Sequence, residues 1–216
     1  MTDLEQPGSN GSTRTSRSAS IPSWLRGGLG VIVAALAAMW LIEIVDTIAL
    51  DDRLEANGIR PRSTDGLDGI LWSPFLHGGF RHLIGNTVPF AILSALALTG
   101  GLRRYLTASA VIIVVGGALV WALAIGSNEN HIGASGWVFG LFGFLIAAAV
   151  FEKRAVSIIV AIVALFIYGG TILFGFVPRP GLSWEGHLFG FIAGVVAARV
   201  IASGSKKVTL DGTTAQ

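Results

Sequence analysis

Six long apolar stretches divide this chain, and charged residues are nearly confined to the segments between them. A helix needs roughly 17–25 apolar residues to cross the hydrocarbon core of a bilayer, and each stretch has about that length. Only Arg199 interrupts the sixth stretch, and a long arginine side chain near a helix end can reach the membrane interface. The sequence therefore predicts an all-α membrane protein with six transmembrane helices, over residues 25–48, 83–102, 105–127, 132–151, 155–177 and 186–203.

The composition supports this class, because 52% of the residues are hydrophobic and only 13% are charged. Soluble domains carry about 25% charged residues, so the charged fraction of this chain is about half of theirs. The chain is therefore not an ordinary soluble domain. The absence of cysteine excludes disulfides, thiolate metal sites and thiol nucleophiles. A net charge of +2 gives no basis for nucleic-acid binding, whereas the apolar stretches make the lipid bilayer a partner.

The distribution of lysine and arginine predicts the orientation. With six spans, both ends of the chain lie on one side, which would carry ten lysines and arginines against five on the other. The positive-inside rule makes the richer side cytoplasmic. We expect a disordered cytoplasmic tail at 1–23, a membrane domain at 24–204 and a cytoplasmic C-terminal tail at 205–216. The outer connection 49–81 mixes apolar and charged residues, which fits a segment lying in the membrane interface or an ordinary loop.

Unusual polar residues fall in the first turns of the second, fourth and sixth spans. These three helices all run from the outer to the inner side, so their first turns lie at a similar depth. His82 and Asn86 open the second span and, four residues apart, share one helix face. Neutral donors that point to one place suit the stabilisation of a negative oxygen. Asn86 also suits an interhelical hydrogen bond.

The fourth and sixth spans begin with a serine and a histidine that could act together. Ser135 lies between Gly133 and Gly136, where unpaired backbone N–H groups and the positive end of the helix dipole favour an oxyanion. A serine in this setting also suits helix packing or an N-cap. His187 is an intramembrane histidine, a residue type that is usually functional and otherwise a hydrogen-bonded core group. We infer a Ser–His dyad.

Glycine spacing predicts how the serine and the histidine meet. Gly190 and Gly194 repeat every four residues along the sixth span, and a matching small-residue stripe starts at Gly136 in the fourth. Because such stripes let helices approach closely, we expect the first turns of the two helices to lie side by side. Phe139, one turn into the fourth span, would either stack on the imidazole or simply pack.

Three separated motifs resemble those of the rhomboid intramembrane serine proteases, over about residues 70–200. They are His77-x4-His82-x3-Asn86, Gly133-Ala134-Ser135-Gly136 and His187-x2-Gly190-x3-Gly194. G-x-S-G alone is common, but the three motifs in this order on these helices are highly specific. The resemblance implies that Ser135 attacks the scissile carbonyl and that His187 takes and returns its proton. It also implies that His82, Asn86 and the Ser135 backbone N–H stabilise the oxyanion.

The same resemblance implies a rhomboid-like six-helix bundle that cuts single-span membrane proteins near the outer leaflet. It implies no cofactor and no metal, and places the protein in the cell membrane with its active site toward the outer face. Two positions depart from the family pattern. Many members carry Trp-Arg in the first loop, whereas Trp72 is followed here by Ser73, so the arginine's structural role is missing or filled otherwise. Phe139 stands where tyrosine is frequent.

Two other functions stay open at this point. One is an inactive rhomboid-like protein that binds membrane clients, although such proteins usually lack the serine or the histidine. The other is a transporter or a metal site that uses the histidines on the outer side. The lack of an H-E-x-x-H motif and of cysteine argues against a metal site. No feature of the sequence specifies an oligomeric state.

Overall fold

A computed structural model describes residues 22–125, 130–179 and 181–211. It confirms the prediction of six helices long and apolar enough to cross a membrane. In chain order they are α1 (Ser23–Ala49), α2 (Phe80–Leu98), α3 (Leu102–Leu123), α4 (Ser135–Glu152), α5 (Ala155–Gly175) and α6 (Trp184–Asp211). The predicted tail at 1–23 lies outside the described residues except for Pro22 and Ser23. Helix α6 continues to Asp211, into the segment expected to be the C-terminal tail.

Helices α2 and α3 begin earlier than the charges suggest, whereas α4 begins later, at Ser135 instead of residue 132. Helix α2 starts at Phe80 and includes Arg81, and α3 starts at Leu102 and includes two further arginines. Charged residues mark the edge of the apolar stretch, but the helical backbone continues beyond it into the interface, where arginine is tolerated. Gly79 and Gly101 directly precede these helices with φ of +94° and +100°, a conformation that side chains other than glycine rarely adopt.

Helix α4 is the most buried of the six and packs along α6 through glycine. A Cβ at Gly190 would overlap the carbonyl of Gly136, and a Cβ at Gly194 would overlap the carbonyl of Gly140. Backbones can approach this closely only where no side chain lies between them. The contact places the N-terminal ends of α4 and α6 next to each other.

Helix α3 changes its hydrogen-bonding pattern in the middle. Residues Ile112–Gly116 form a π-helical turn between two α-helical halves. A Cβ at Gly116 would lie 3.4 Å from the Cα of Gly190, so this turn packs directly on α6. Single π-helical turns inside α-helices are rare and often occur at functional sites.

The connection between α1 and α2 is folded against the helices. It consists of short helical turns, at Leu54–Asn57, Thr64–Gly66, Gly69–Trp72 and Ser73–Phe75. The indole N–H of Trp121 in α3 donates to the carbonyl of Ser63 at 2.8 Å. Leu71 and Trp72 remain exposed, each by 56%. Exposed apolar side chains on a folded segment fit contact with the membrane interface better than a freely hydrated loop.

Candidate active site

Ser135 is the first residue of α4 and follows a turn that requires glycine. Gly133 has a φ of +109°, and its N–H donates to the carbonyl of Ser73 at 2.8 Å. An L-residue is strained in this conformation, so glycine two residues before the serine is a conformational requirement. The carbonyl of Ser73 anchors the turn to the first connection, a contact that spacing alone does not reveal.

Ser135 lines an open cleft with an empty volume of about 450 Å³. The cleft lies between the beginning of α4, the π-helical turn of α3 and the first connection. Its walls are mainly isoleucine and glycine, including Ile70 and Ile113. The serine hydroxyl is therefore one of a few polar groups in a largely apolar cleft.

His187 lies in the first turn of α6 and is held in one orientation by two contacts. Its imidazole stacks on the ring of Phe139, with the centroids 4.0 Å apart and the planes inclined by 6°. Its Nδ1 lies 2.7 Å from the carbonyl oxygen of Gly175, the last residue of α5. A carbonyl oxygen can only accept a hydrogen bond, so Nδ1 carries the proton and Nε2 is left with its lone pair. A neutral imidazole in this tautomer can act as a base through Nε2.

The backbones of the two first turns touch. A Cβ at Gly136 would lie 3.3 Å from the carbonyl oxygen of Gly186, which precedes His187. Among the described residues, the Ser135 hydroxyl makes no hydrogen bond with His187. In substrate-free enzymes such hydrogen bonds are often long and form only in the complex.

His82 and Asn86 both approach Gly133 from α2. A Cβ at Gly133 would lie 2.6 Å from His82 Nε2 and 3.6 Å from Asn86 Nδ2. His82 Nδ1 accepts the N–H of Gly78 at 3.3 Å, so in the neutral ring the proton is on Nε2. The Asn86 amide is buried, and within the described part of the chain its Nδ2 has no partner. Two N–H donors thus converge beside the turn that carries Ser135.

His77 supports the same turn through Ala134. On a continuous helix His77 and His82 would be rotated apart, but α2 begins only at Phe80, and their rings meet edge to face at 5.1 Å. His77 thus belongs to the segment before α2, and the break before Phe80 allows the two rings to meet. His77 Nε2 accepts the N–H of Ala134 at 3.3 Å. Burial, and secondarily the nearby His82, lower the pKa of His77 to about 4, so at neutral pH the ring is uncharged and can accept this hydrogen bond.

Two contacts of the site depend on residues that the sequence did not single out. Gly175 holds the His187 ring, and a Cβ there would overlap the ring of Phe139. Arg62, whose φ is +58°, donates to the carbonyls of Ala124 and Ile125 at 2.5 and 3.4 Å. Arg62 thereby ties the first connection to the end of α3. This loop is anchored by Arg62, since position 73, after Trp72, carries a serine and not an arginine.

The histidines do not form a metal centre in the described segments. Within residues 22–125, 130–179 and 181–211, no three histidine or carboxylate side chains are grouped as metal ligands. In the close pair His77 and His82, one ring nitrogen of each accepts a backbone N–H, from Ala134 and Gly78 respectively.

A family model and several known proteins match this chain. Residues 66–204 match the Rhomboid domain. An uncharacterized protein of Mycobacterium tuberculosis is 38% identical over 212 residues, which cover 94% of this chain and 87% of that protein. An uncharacterized protein of Mycobacterium leprae is 38% identical over 192 residues, covering 85% and 75%. RHOMBOID-like protein 5 of Arabidopsis thaliana is 32% identical over 153 residues, covering 68% and 45%. This multi-pass membrane protein therefore belongs to the rhomboid family.

Proposed function

We propose that the protein is an intramembrane serine endopeptidase that hydrolyses peptide bonds of transmembrane substrates with a Ser135–His187 dyad. The observation that carries this proposal is the tautomer and the orientation of the His187 ring. Its Nδ1–H donates to the carbonyl of Gly175 while its ring stacks on Phe139, so Nε2 is an oriented base at the beginning of α6.

In the proposed reaction, the Ser135 hydroxyl attacks the substrate carbonyl as His187 Nε2 takes its proton. The tetrahedral intermediate collapses to an acyl-enzyme, and the leaving amine receives that proton from His187. Water then attacks the ester, again losing a proton to His187, and Ser135 is released with its proton restored. No carboxylate is required, because the Gly175 carbonyl and the Phe139 ring hold the imidazole.

The oxyanion of the intermediate would be stabilised by groups beside the Gly133 turn. His82 Nε2–H and the Asn86 amide are directed toward Gly133, and the Ser135 backbone N–H is free at the start of α4. Such donors are fixed before the negative charge develops, which makes them effective in a site with little water. The Asn86 Nδ2 donor has no competing partner among the described residues.

The substrates would be single-span membrane proteins, since the cleft opens among membrane-spanning helices. We assign the protein to the cell membrane, with both termini cytoplasmic, because that side carries more lysine and arginine. The first turns of α2, α4 and α6 then face the outer leaflet, where the substrate helix would be cut. A transporter is not supported by any feature of the site.

Labelling with a fluorophosphonate tests the function without a known substrate. The probe reacts with an activated serine, so the detergent-purified wild type is expected to become labelled at Ser135. Labelling is expected to be lost in both Ser135→Ala and His187→Ala. A folded wild type that stays unlabelled would instead support an inactive rhomboid that binds membrane clients.

Asn86→Ala tests the oxyanion assignment. We expect the rate of substrate cleavage to fall about 10–1000-fold, the usual effect of deleting one oxyanion donor. Asn57→Ala is the matched control, because Asn57 is exposed in the first connection and donates only to the carbonyl of Leu54. An Asn86→Ala rate equal to that of the control would make Asn86 a packing residue.

A further inference from the structure

A second histidine–serine contact lies in the same cleft as Ser135 and has no role in the chemistry above. His131 Nδ1 is 2.5 Å from the hydroxyl oxygen of Ser183, although the two residues are 52 positions apart. Both residues line the cleft with Ser135. His131 is 4% exposed, so this hydrogen bond is largely shielded from water and is correspondingly directional.

His131, the histidine of this contact, belongs to the segment that leads into Ser135. His131 lies four residues before Ser135, and its backbone pairs in both directions with Ile59 of the first connection, at 2.9 and 3.0 Å. Its position is therefore set by the folded connection rather than by α4 alone.

Ser183, the serine of this contact, is attached to the turn that carries the proposed base His187. Ser183 directly precedes α6, and its carbonyl accepts the N–H of His187 at 3.2 Å. A Cβ at Gly186 would lie 2.6 Å from the Ser183 hydroxyl, so this side chain packs on the first turn of α6. A displacement of Ser183 would consequently move the turn that carries His187.

The remaining contacts between the two turns do not prevent sliding. Gly136, Gly186 and Gly190 meet through backbone atoms, with no side chain inserted into the partner helix. The rings of Phe139 and His187 lie in two nearly parallel planes, so they can slide past each other without losing contact. The His131–Ser183 hydrogen bond is directional, and it therefore resists this movement at the end of the helices where the dyad lies.

We propose that His131 and Ser183 form a positioning pair that sets the separation of Ser135 and His187. This inference rests on the proposed protease function. Neither residue is a catalytic residue, since each acts through the segment to which it is attached. A misplacement of reacting groups by about 1 Å can cost about 100-fold in rate, so loss of the pair should slow the chemical step.

The test measures kcat and KM for a transmembrane substrate together with the rate of fluorophosphonate labelling. Ser183→Ala is expected to lower kcat and the labelling rate by a similar factor, about 10–100-fold, with KM changed less than about twofold. Ser94→Ala is the matched control, because it deletes a buried serine hydroxyl that lies 3.2 Å from the Tyr105 hydroxyl. This control is expected to keep the wild-type kcat.

Conservative variants separate positioning from general stability. In His131→Asn the side-chain amide can occupy the place of Nδ1, so we expect kcat to recover to within about fivefold of wild type, whereas His131→Leu should match Ser183→Ala. The double variant His131→Leu/Ser183→Ala should be no slower than either single variant. If Ser183→Ala does not fold, the comparison of His131→Asn with His131→Leu decides the question.

Three results would overturn the inference. A Ser183→Ala enzyme with the kcat of Ser94→Ala would show that the hydrogen bond does not position the dyad, while the proposed function would stand. A raised KM with unchanged kcat would make the pair part of substrate binding. A folded wild type that neither cleaves nor becomes labelled would remove the proposed function and this inference with it.

Discussion

Alanine at Ser135 or at His187 is expected to lower the kcat for cleavage of a transmembrane substrate by at least about 10⁴-fold. Ser135→Ala removes the nucleophile, and His187→Ala removes the base that Gly175 and Phe139 hold in place. Because the two residues act as one unit, the double variant is expected to be about as slow as either single variant. The measurement is single-turnover cleavage of a labelled substrate in detergent or proteoliposomes.

The fold must survive these substitutions for the rates to be interpretable. Ser135 opens onto the cleft and makes no hydrogen bond in the described part of the chain, so its hydroxyl contributes little to packing. Ser157→Ala is a matched control, because it deletes a serine hydroxyl bound to Glu152 at the other end of the bundle. It is expected to retain wild-type cleavage. A Ser135→Ala protein that cleaves within tenfold of the wild-type rate would exclude the proposed mechanism.

Valine at Gly194 is expected to cause the largest loss of stability of any single substitution considered. Its Cβ would overlap the carbonyl oxygen of Gly140 and come within 2.8 Å of the amide nitrogen of Phe144. These atoms belong to a helical backbone and cannot turn away as a flexible side chain can. We expect a cost of about 3 kcal/mol, the upper part of the usual range for overpacking, and a melting temperature roughly 6–12 °C lower.

Gly30→Val provides the matched comparison for this prediction. Gly30 lies within α1, is exposed, and a Cβ there would meet no atom within 4 Å. Since valine favours a helix more than glycine does, Gly30→Val is expected to melt at or slightly above the wild-type temperature. Equal melting temperatures for Gly194→Val and Gly30→Val would refute the close contact between α4 and α6.

The number and type of the helices could be predicted from the sequence because both follow from local properties. Apolar length determines which segments cross the membrane, and the direction of each helix then follows from counting. This reasoning led to the beginnings of α2, α4 and α6, where His82, Asn86, Ser135 and His187 lie within the first two turns. The exact ends could not be predicted, because the helices extend through arginines into the interface.

The supporting contacts of the site could not be predicted, because they depend on how the connecting segments fold. The contact between His77 and His82 requires a break before Phe80, which the spacing of the histidines does not reveal. The partner of His187 is a backbone carbonyl, and every residue carries one, so no residue type identified Gly175. Arg62 anchors the first connection by donating to the carbonyl of Ala124, and it lies outside any recognisable motif.

The π-helical turn in α3 affects how this chain should be aligned with its relatives. A turn closed by i→i+5 hydrogen bonds holds one residue more than an α-helical turn, so Ile112–Gly116 is equivalent to a one-residue insertion. Removing one residue there would restore a continuous α-helix and leave the following half of α3 at nearly its present rotation, because the wider turn already accommodates the extra residue. Val120 would still face the cleft, and Trp121 would still face the carbonyl of Ser63. A one-residue gap placed in this segment therefore predicts the same cleft-facing positions after the turn in the relative that carries it.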